Sequence, residues 1–199
     1  MIDRHASRDT IIARAKEAFA GYRPTVAALH QHILCTPHDD PQISRCLGTF
    51  VSVGYERTGV AEIRYDLHTP NLHYLGIYIK DKHLIIEGTV GNYAGMFMSG
   101  RLTNNGVMGG FAGEQMIGTF TNNGMLEAAA GYGMYGVFID NAPIQNTETL
   151  YVEHRIFAGY NVERKNLPAH RQEEFLRLIE NPEALPWWEL KSQLEKVVG

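Results

Sequence analysis

The side chains best equipped for chemistry lie near the start of the chain, in His30-x-His32-x-x-Cys35-x-x-His38-Asp39-Asp40. Imidazole, thiolate and carboxylate bind zinc and related ions, and on a strand a His-x-His pair would set both rings on one face. His30, His32 and His38 are therefore the candidate metal ligands, and together with Asp39 they are the residues from which a stand-alone enzyme's site would be built. If the segment is helical, however, the first two histidines diverge. Cys46 lies eleven residues beyond Cys35, and no standard structural zinc spacing is reproduced. Solvated loop histidines and a core thiol are the competing account.

Other constellations carry less. Ser99-Gly100 and Thr119 have no glycine elbow of the hydrolase kind, and no nucleophile, base and acid follow in a legible order, so a covalent mechanism has no support. Gly131-x-Gly133-x-x-Gly136 has a dinucleotide-fingerprint spacing but belongs to a repeat and not to a strand-turn-helix unit. His68, His73 and His83, with Glu153-His154-Arg155, read as exposed polar groups near the two ends of that repeat. No catalytic residue and no cofactor is expected.

What must position all these groups is the repeat itself. Phrases of eighteen residues begin at Gly88, Gly106 and Gly124 and bring Gly95/Gly113/Gly131, Met98/Met116/Met134, Gly100/Gly118/Gly136 and Ala94/Ala112/Ala130 into register. A fixed period of this size marks a solenoid, whose units bury their apolar faces only by stacking. The expected fold is mainly β: a single-stranded β-helix of about 18 residues per turn, flanked by N- and C-terminal helices. A small residue at every sixth position divides each turn into three sides. The residues two places on, Val90, Met96, Leu102, Met108, Glu114, Phe120, Leu126, Tyr132 and Phe138, are the expected inward positions. The methionine column reads as core filling, because thioethers alone fix no metal geometry. Asn104-Asn105 and Asn122-Asn123 are expected to form amide ladders continued by Glu87, Asp140 and Asn141. His73-Tyr74-Leu75-Gly76 begins a weaker copy one turn earlier, with Lys82 as an extra residue.

The phrase Gly88-x-x-Gly91-x-x-x-Gly95-x-x-Met98-x-Gly100, repeated from Gly106, resembles the GXGXG repeat family. That family includes the C-terminal domain of the glutamate synthase large subunit and a β-helical component of formylmethanofuran dehydrogenase. The resemblance covers about a third of the chain and implies a right-handed β-helix acting as a spacer beside catalytic subunits. A left-handed β-helix, a coil type many acyltransferases use, has the same eighteen-residue turn and remains the alternative.

The flanks supply the rest. Ser7 to Tyr22 reads as a helix with Ile11, Ile12, Ala15 and Phe19 on one face, and Val26 to Leu34 as a second helical stretch before a loop at Pro37 to Pro41. Alternation at Val51, Val53, Tyr55 and again at Ala61, Ile63, Tyr65, Leu67 predicts two strands about Arg57-Thr58-Gly59, either a β-hairpin or the opening of the coil. Strands near Thr149 to Val152 and Arg155 to Ala158 and two amphipathic helices after Pro168 are expected to close the coil, and Trp187 and Trp188 are candidate interface anchors. The resulting segments are 1–45 helical, 46–160 hairpin and β-helix, and 161–199 helical cap. A formal charge of −4 gives no field for nucleic acid or anionic membrane, so protein partners, including further copies of the chain, are expected. Two cysteines and no signal-peptide pattern point to a cytoplasmic protein.

Overall fold

The computed structural model describes residues 7–128, 130–140 and 168–180, with positions 185, 189, 192, 193, 196 and 197 besides. Three helices come first, each opened by a side-chain cap. Helix α1 (Arg8–Ala18) starts at Ser7, whose hydroxyl accepts from the Thr10 amide, and it ends before Gly21 at φ 74°. Helix α2 (Val26–Cys35) starts at Thr25. Helix α3 (Pro41–Arg57) starts at Asp40, whose carboxylate accepts from the amides of Gln42 and Ile43, with Pro41 in the first turn where it loses no bond.

The expected hairpin is thus corrected in its first arm: Val51, Val53 and Tyr55 lie on α3, which also runs across the expected boundary at residue 45. Leu47, Val51 and Tyr55 recur every four residues and are buried, so the helical period overrides the local alternation of Val51 to Tyr55. The second arm is a strand, β1 (Glu62–Tyr65), and its forward pairing with β3 (Lys80–Ile86) makes it the opening of the coil, the alternative to the hairpin.

From β1 the chain winds as a solenoid. One side stacks β1, β3 (Lys80–Ile86), β5 (Ser99–Asn104), β7 (Ile117–Asn122) and β9 (Tyr135–Asp140) as a parallel sheet in that order. A second side stacks β2 (His68–Thr69), β4 (Thr89–Val90), β6 (Val107–Met108) and β8 (Met125–Leu126), also parallel. Partners such as Leu102 and Phe120 are eighteen residues apart. The extra residue of the first copy is Asp81 rather than Lys82: the register shifts between Lys80 and Lys82, and Asp81 takes φ 52°.

The third side is not a strand. In successive turns Tyr74, Gly76 and Tyr78, then Tyr93, Gly95 and Phe97, then Phe111, Gly113 and Gln115, all have positive φ. Short turns such as Met96 N to Tyr93 O and Met98 N to Gly95 O close each loop. Amides point both ways along the axis, Gly113 N back to Ala94 O and Phe97 N forward to Glu114 O, so this irregular side too is hydrogen-bonded to the turns on either side of it. Because left-handed residues break the two-residue alternation, the expected inward column of Met96, Glu114 and Tyr132 is corrected here. The inward groups are Ala94, Ala112 and Ala130 with Met98, Met116 and Met134, while Tyr132 is exposed.

The other inward columns stand as expected: Val90 and Met108 on one sheet, Leu102, Phe120 and Phe138 on the other, with Phe120 and Phe138 edge to face at 4.9 Å. Glycine is required where turns approach most closely. A Cβ at Gly106 would overlap the Gly88 carbonyl, and one at Gly118 the Gly100 carbonyl. The asparagines form both ladders. Asn104 Nδ2 donates to Asn122 Oδ1 at 2.7 Å inside the coil, and Asn123 Nδ2 to Asn105 Oδ1 at 2.8 Å outside, with Asn105 reaching Glu87. Beyond the coil, α4 (Ala169–Glu180) carries the first expected C-terminal helix, with Leu178 buried. The expected strands at 149–158 and the position of Asn141 lie outside the described residues.

Helix α3 covers the first turn. Its stripe Ser44, Gly48, Ser52, Glu56 is spaced by four and lies along residues 71–80. Ser44 Oγ donates to Asn71 O and accepts from His73 N, Ser52 Oγ accepts from Gly76 N at 2.8 Å, and Glu56 Oε2 accepts from Lys80 N at 2.8 Å. In later turns the amides equivalent to Gly76 bond the carbonyls of Leu75, Ala94 and Ala112, so the helix hydroxyl replaces a missing turn. Gly48 is fixed by the same contact, since a Cβ there would overlap the His73 carbonyl.

Stability should respond at both the cap and the core. Ser52→Ala strands a buried amide and should cost about 1–3 kcal/mol, read from the urea midpoint, with Gly48→Ala at least as damaging. Met116→Ala opens a void in the filled interior and should cost about 2–5 kcal/mol in the same measurement.

Candidate functional site

The N-terminal histidines are held by different neighbours. On α2, His30 and His32 stand about 200° of helical turn apart. His30 turns inward, its ring edge-on to Tyr55 and Tyr65 with centroids 6.1 and 5.4 Å away, and Nδ1 3.8 Å from the exposed carboxylate of Asp66. Burial lowers its pKa, and Asp66 opposes that only in part. His32 packs on Phe50 at 5.5 Å. His38 lies beyond the helix with Nδ1 2.8 Å from the Thr36 carbonyl, Asp39 accepts from Asn71 Nδ2, and Asp40 caps α3. The structure therefore does not bring His30, His32 and His38 together. Among the described residues no group of three or more His, Cys, Asp or Glu side chains is placed to hold a metal. The helical setting of α2 is the reason: His-x-His converges only on a strand.

Two other histidines are less exposed than the sequence suggests. His73 is half-buried at the first corner of the coil, where its Nδ1 accepts from the Asn92 amide at 2.9 Å. His83, on the outer face of β3, bonds Thr103 Oγ1 through Nε2 at 2.8 Å and has Glu62 3.6 Å from Nδ1. Burial lowers the His83 pKa, Arg101 adds to the shift, Glu62 opposes it, and Arg64 lowers it further. Sequence reasoning placed both at the start of the coil, but only the stacking of turns shows what covers them.

The surface with the strongest character is the third side of the coil. Its left-handed residues aim aromatic rings outward in register: Tyr74 over Tyr93 over Phe111, at 4.7 and 5.3 Å and within 12° of parallel, and Tyr78 over Phe97 at 5.1 Å. Between these walls run Ile77, Met96, Glu114 and Tyr132, which are linked by the forward-pointing amides and pass from buried at Ile77 to 40% exposed at Tyr132. Arg8 of α1 reaches over the near end, donating to the Tyr78 hydroxyl at 3.1 Å and lying 5.4 Å from the Phe97 ring. Burial raises the Glu114 pKa, with Arg8 opposing, and burial with the Tyr93 phenol raises that of Tyr74. Arg8 thus lies over part of the near end, where Tyr78 still keeps an exposed edge, and further along Phe111 and Tyr132 are exposed.

Stacked rings present edges, since each covers its neighbour's face. Such a surface suits the irregular apolar side chains of a protein better than a planar ligand. Tyr74, Tyr78, Tyr93, Phe97 and Phe111 were missed as a group in the sequence, although their four-residue pairing within a turn, Tyr74 with Tyr78 and Tyr93 with Phe97, was there to be read. Trp187 and Trp188 lie outside the described residues. Among the structural repeat residues, Gly95, Gly113 and Gly131 hold φ near 68°, Gly100 and Gly118 wider positive values, and Gly88, Gly106 and Gly124 the close approaches. Gly136 pairs with Gly118 in the sheet.

Comparison with protein-family models, with curated proteins and with solved structures gives no match.

Replacing Arg101 with Met removes a positive neighbour of His83 while keeping an alkyl chain in place. The imidazole midpoint, followed by NMR, should move up toward the ordinary 6.5 without reaching it, because burial is the larger cause.

Proposed function

We propose that this chain is a noncatalytic β-helix scaffold that binds a partner protein along its third side. The exposed aromatic ladder carries this reading: rings stacked in register on a stiff coil, open at Phe111 and Tyr132, form a preorganised apolar surface. Residues ordered in both states lose little conformational freedom on docking, which is the property a holding surface needs. The coil interior supports the same role, because Met98, Met116, Leu102 and Phe120 fill it and leave the surface as the interacting part.

The resemblance of the repeat to the GXGXG family supports, as partner class, the larger subunits of an amidotransferase or oxidoreductase of the glutamate synthase type. The two cysteines, Cys35 exposed and Cys46 buried, are not joined in a disulfide, which fits a reducing, cytoplasmic setting.

Tagged protein produced at native level in its own cells should elute on size exclusion as part of a larger complex. A Phe111→Asp, Tyr132→Asp double variant should retain the wild-type circular dichroism, since both residues are exposed, and lose the partner by a factor of at least about ten, as expected for two hot-spot aromatics. Elution of the wild type alone, or retention of the partner by the folded variant, would overturn the assignment to this face.

A further inference from the structure

His73 joins two elements. Its backbone belongs to the helical cap: the amide donates to Ser44 Oγ at 2.8 Å, and α3 approaches so closely that Gly48 has no room for a side chain above the His73 carbonyl. Its ring belongs to the second turn, where Nδ1 is the acceptor for the Asn92 amide at 2.9 Å and lies against Gly91. A backbone amide is always a donor, so the neutral ring must carry its proton on Nε2. One turn on, Asn92 Oδ1 accepts from Gly110 N at 2.8 Å in the same manner. The column of side-chain acceptors therefore runs Ser44, His73, Asn92, and only the imidazole can be switched off by a proton.

We propose that His73 is a proton-sensitive latch that couples the α3 cap to the coil, closed when the ring is neutral and opened when Nδ1 is protonated. Protonation puts an N–H on Nδ1 directly opposite the Asn92 N–H, so the two donors oppose each other and the corner at residues 72–76 must shift or the ring must turn out. Because the same residue is gripped by Ser44 and Gly48, that displacement is passed to α3 and loosens the bonds that Gly76 and Lys80 make to Ser52 and Glu56. Among the described residues no charged group shifts the ring toward holding the proton. Of the charged groups on the packed elements, Arg45 of α3 acts on Tyr74 and Asp39 is engaged with Asn71, and neither shifts the His73 ring; the facing groups of the second turn, Gly91 and Asn92, are uncharged.

Burial alone lowers the His73 pKa from 6.5. The folded form thus binds fewer protons than the unfolded chain as pH falls below 6.5, and the latch contribution, complete above that pH, is lost as pH drops through the lower folded value.

The test uses the whole chain. At pH 7.5 the ring nitrogens, observed by 15N NMR, should report the Nε2–H tautomer, and the ring should titrate below 6.5. The protection factors of the Asn92 and Gly76 amides, corrected for intrinsic exchange, should fall at least about tenfold between pH 7.5 and pH 5. His73→Asn keeps an acceptor of the kind that Asn92 provides and removes the proton site, so in that variant the fall should vanish. An Nδ1–H tautomer in the wild type, protection that does not depend on pH, or an equal fall in His73→Asn would each overturn the proposal. The tautomer is read on the wild type and stands even if the variant does not fold.

Discussion

A stack of parallel turns satisfies its own backbone everywhere except at its ends, and the rest of this structure is organised around the first of those ends. The amides of His73, Gly76 and Lys80 would face water or a neighbouring chain if nothing lay beneath them, and an exposed row of that kind invites edge-to-edge pairing. Helix α3 covers them with Ser44, Ser52 and Glu56, three acceptors on one helical stripe, and Gly48 allows the contact to close. A helix normally has no backbone acceptor to spare in its interior. Side-chain oxygens must therefore stand in for the carbonyls of a turn that is not there.

Once the first turn is set, each later turn copies it. The inward columns of aliphatic, methionine and phenylalanine side chains fill the interior, and the close approach at Gly88, Gly106 and Gly124 keeps the turns in register. The polar positions obey the same rule of repetition. Asn104 is fully buried yet bonds Asn122, the Met125 carbonyl and the Gly106 amide, so the coil carries an amide ladder inside without leaving it unsatisfied. The third side turns repetition outward. Alternating left-handed residues reverse which side chains face the core, and aromatic rings that a strand would distribute over two faces are gathered onto one.

The functional picture rests on that gathered face and on the corner beside it. The aromatic ladder is presented by the stacked turns of the coil, with Arg8 bonded to it near the cap and Phe111 and Tyr132 exposed beyond. His73 sits where cap, corner and second turn meet, so the rigidity on which the surface depends is linked to one titrating ring. The histidine-rich N-terminal segment has a different part: His30 and His32 pack against aromatic rings on opposite sides of α2, and Asp40 starts the helix that covers the coil.

The amino-acid sequence by itself determined the solenoid, its eighteen-residue turn, its glycine and methionine columns and its asparagine ladders, because stacking identical turns converts sequence period directly into spatial alignment. It also contained the start of α3 in Asp40-Pro41, which reads equally as the end of a loop, and the four-residue recurrence of Leu47, Val51 and Tyr55, which the shorter alternation at Val51 to Tyr55 masked. Only the tertiary structure decided that this segment is a helix, since the stripe Ser44, Gly48, Ser52, Glu56 has meaning only against the backbone it serves. The direction of the third side was decided there too: whether Met96 or Met98 faces the core depends on φ signs at Tyr93 and Phe97, residues for which a left-handed backbone is uncommon and is held by the bonds of the turns above and below.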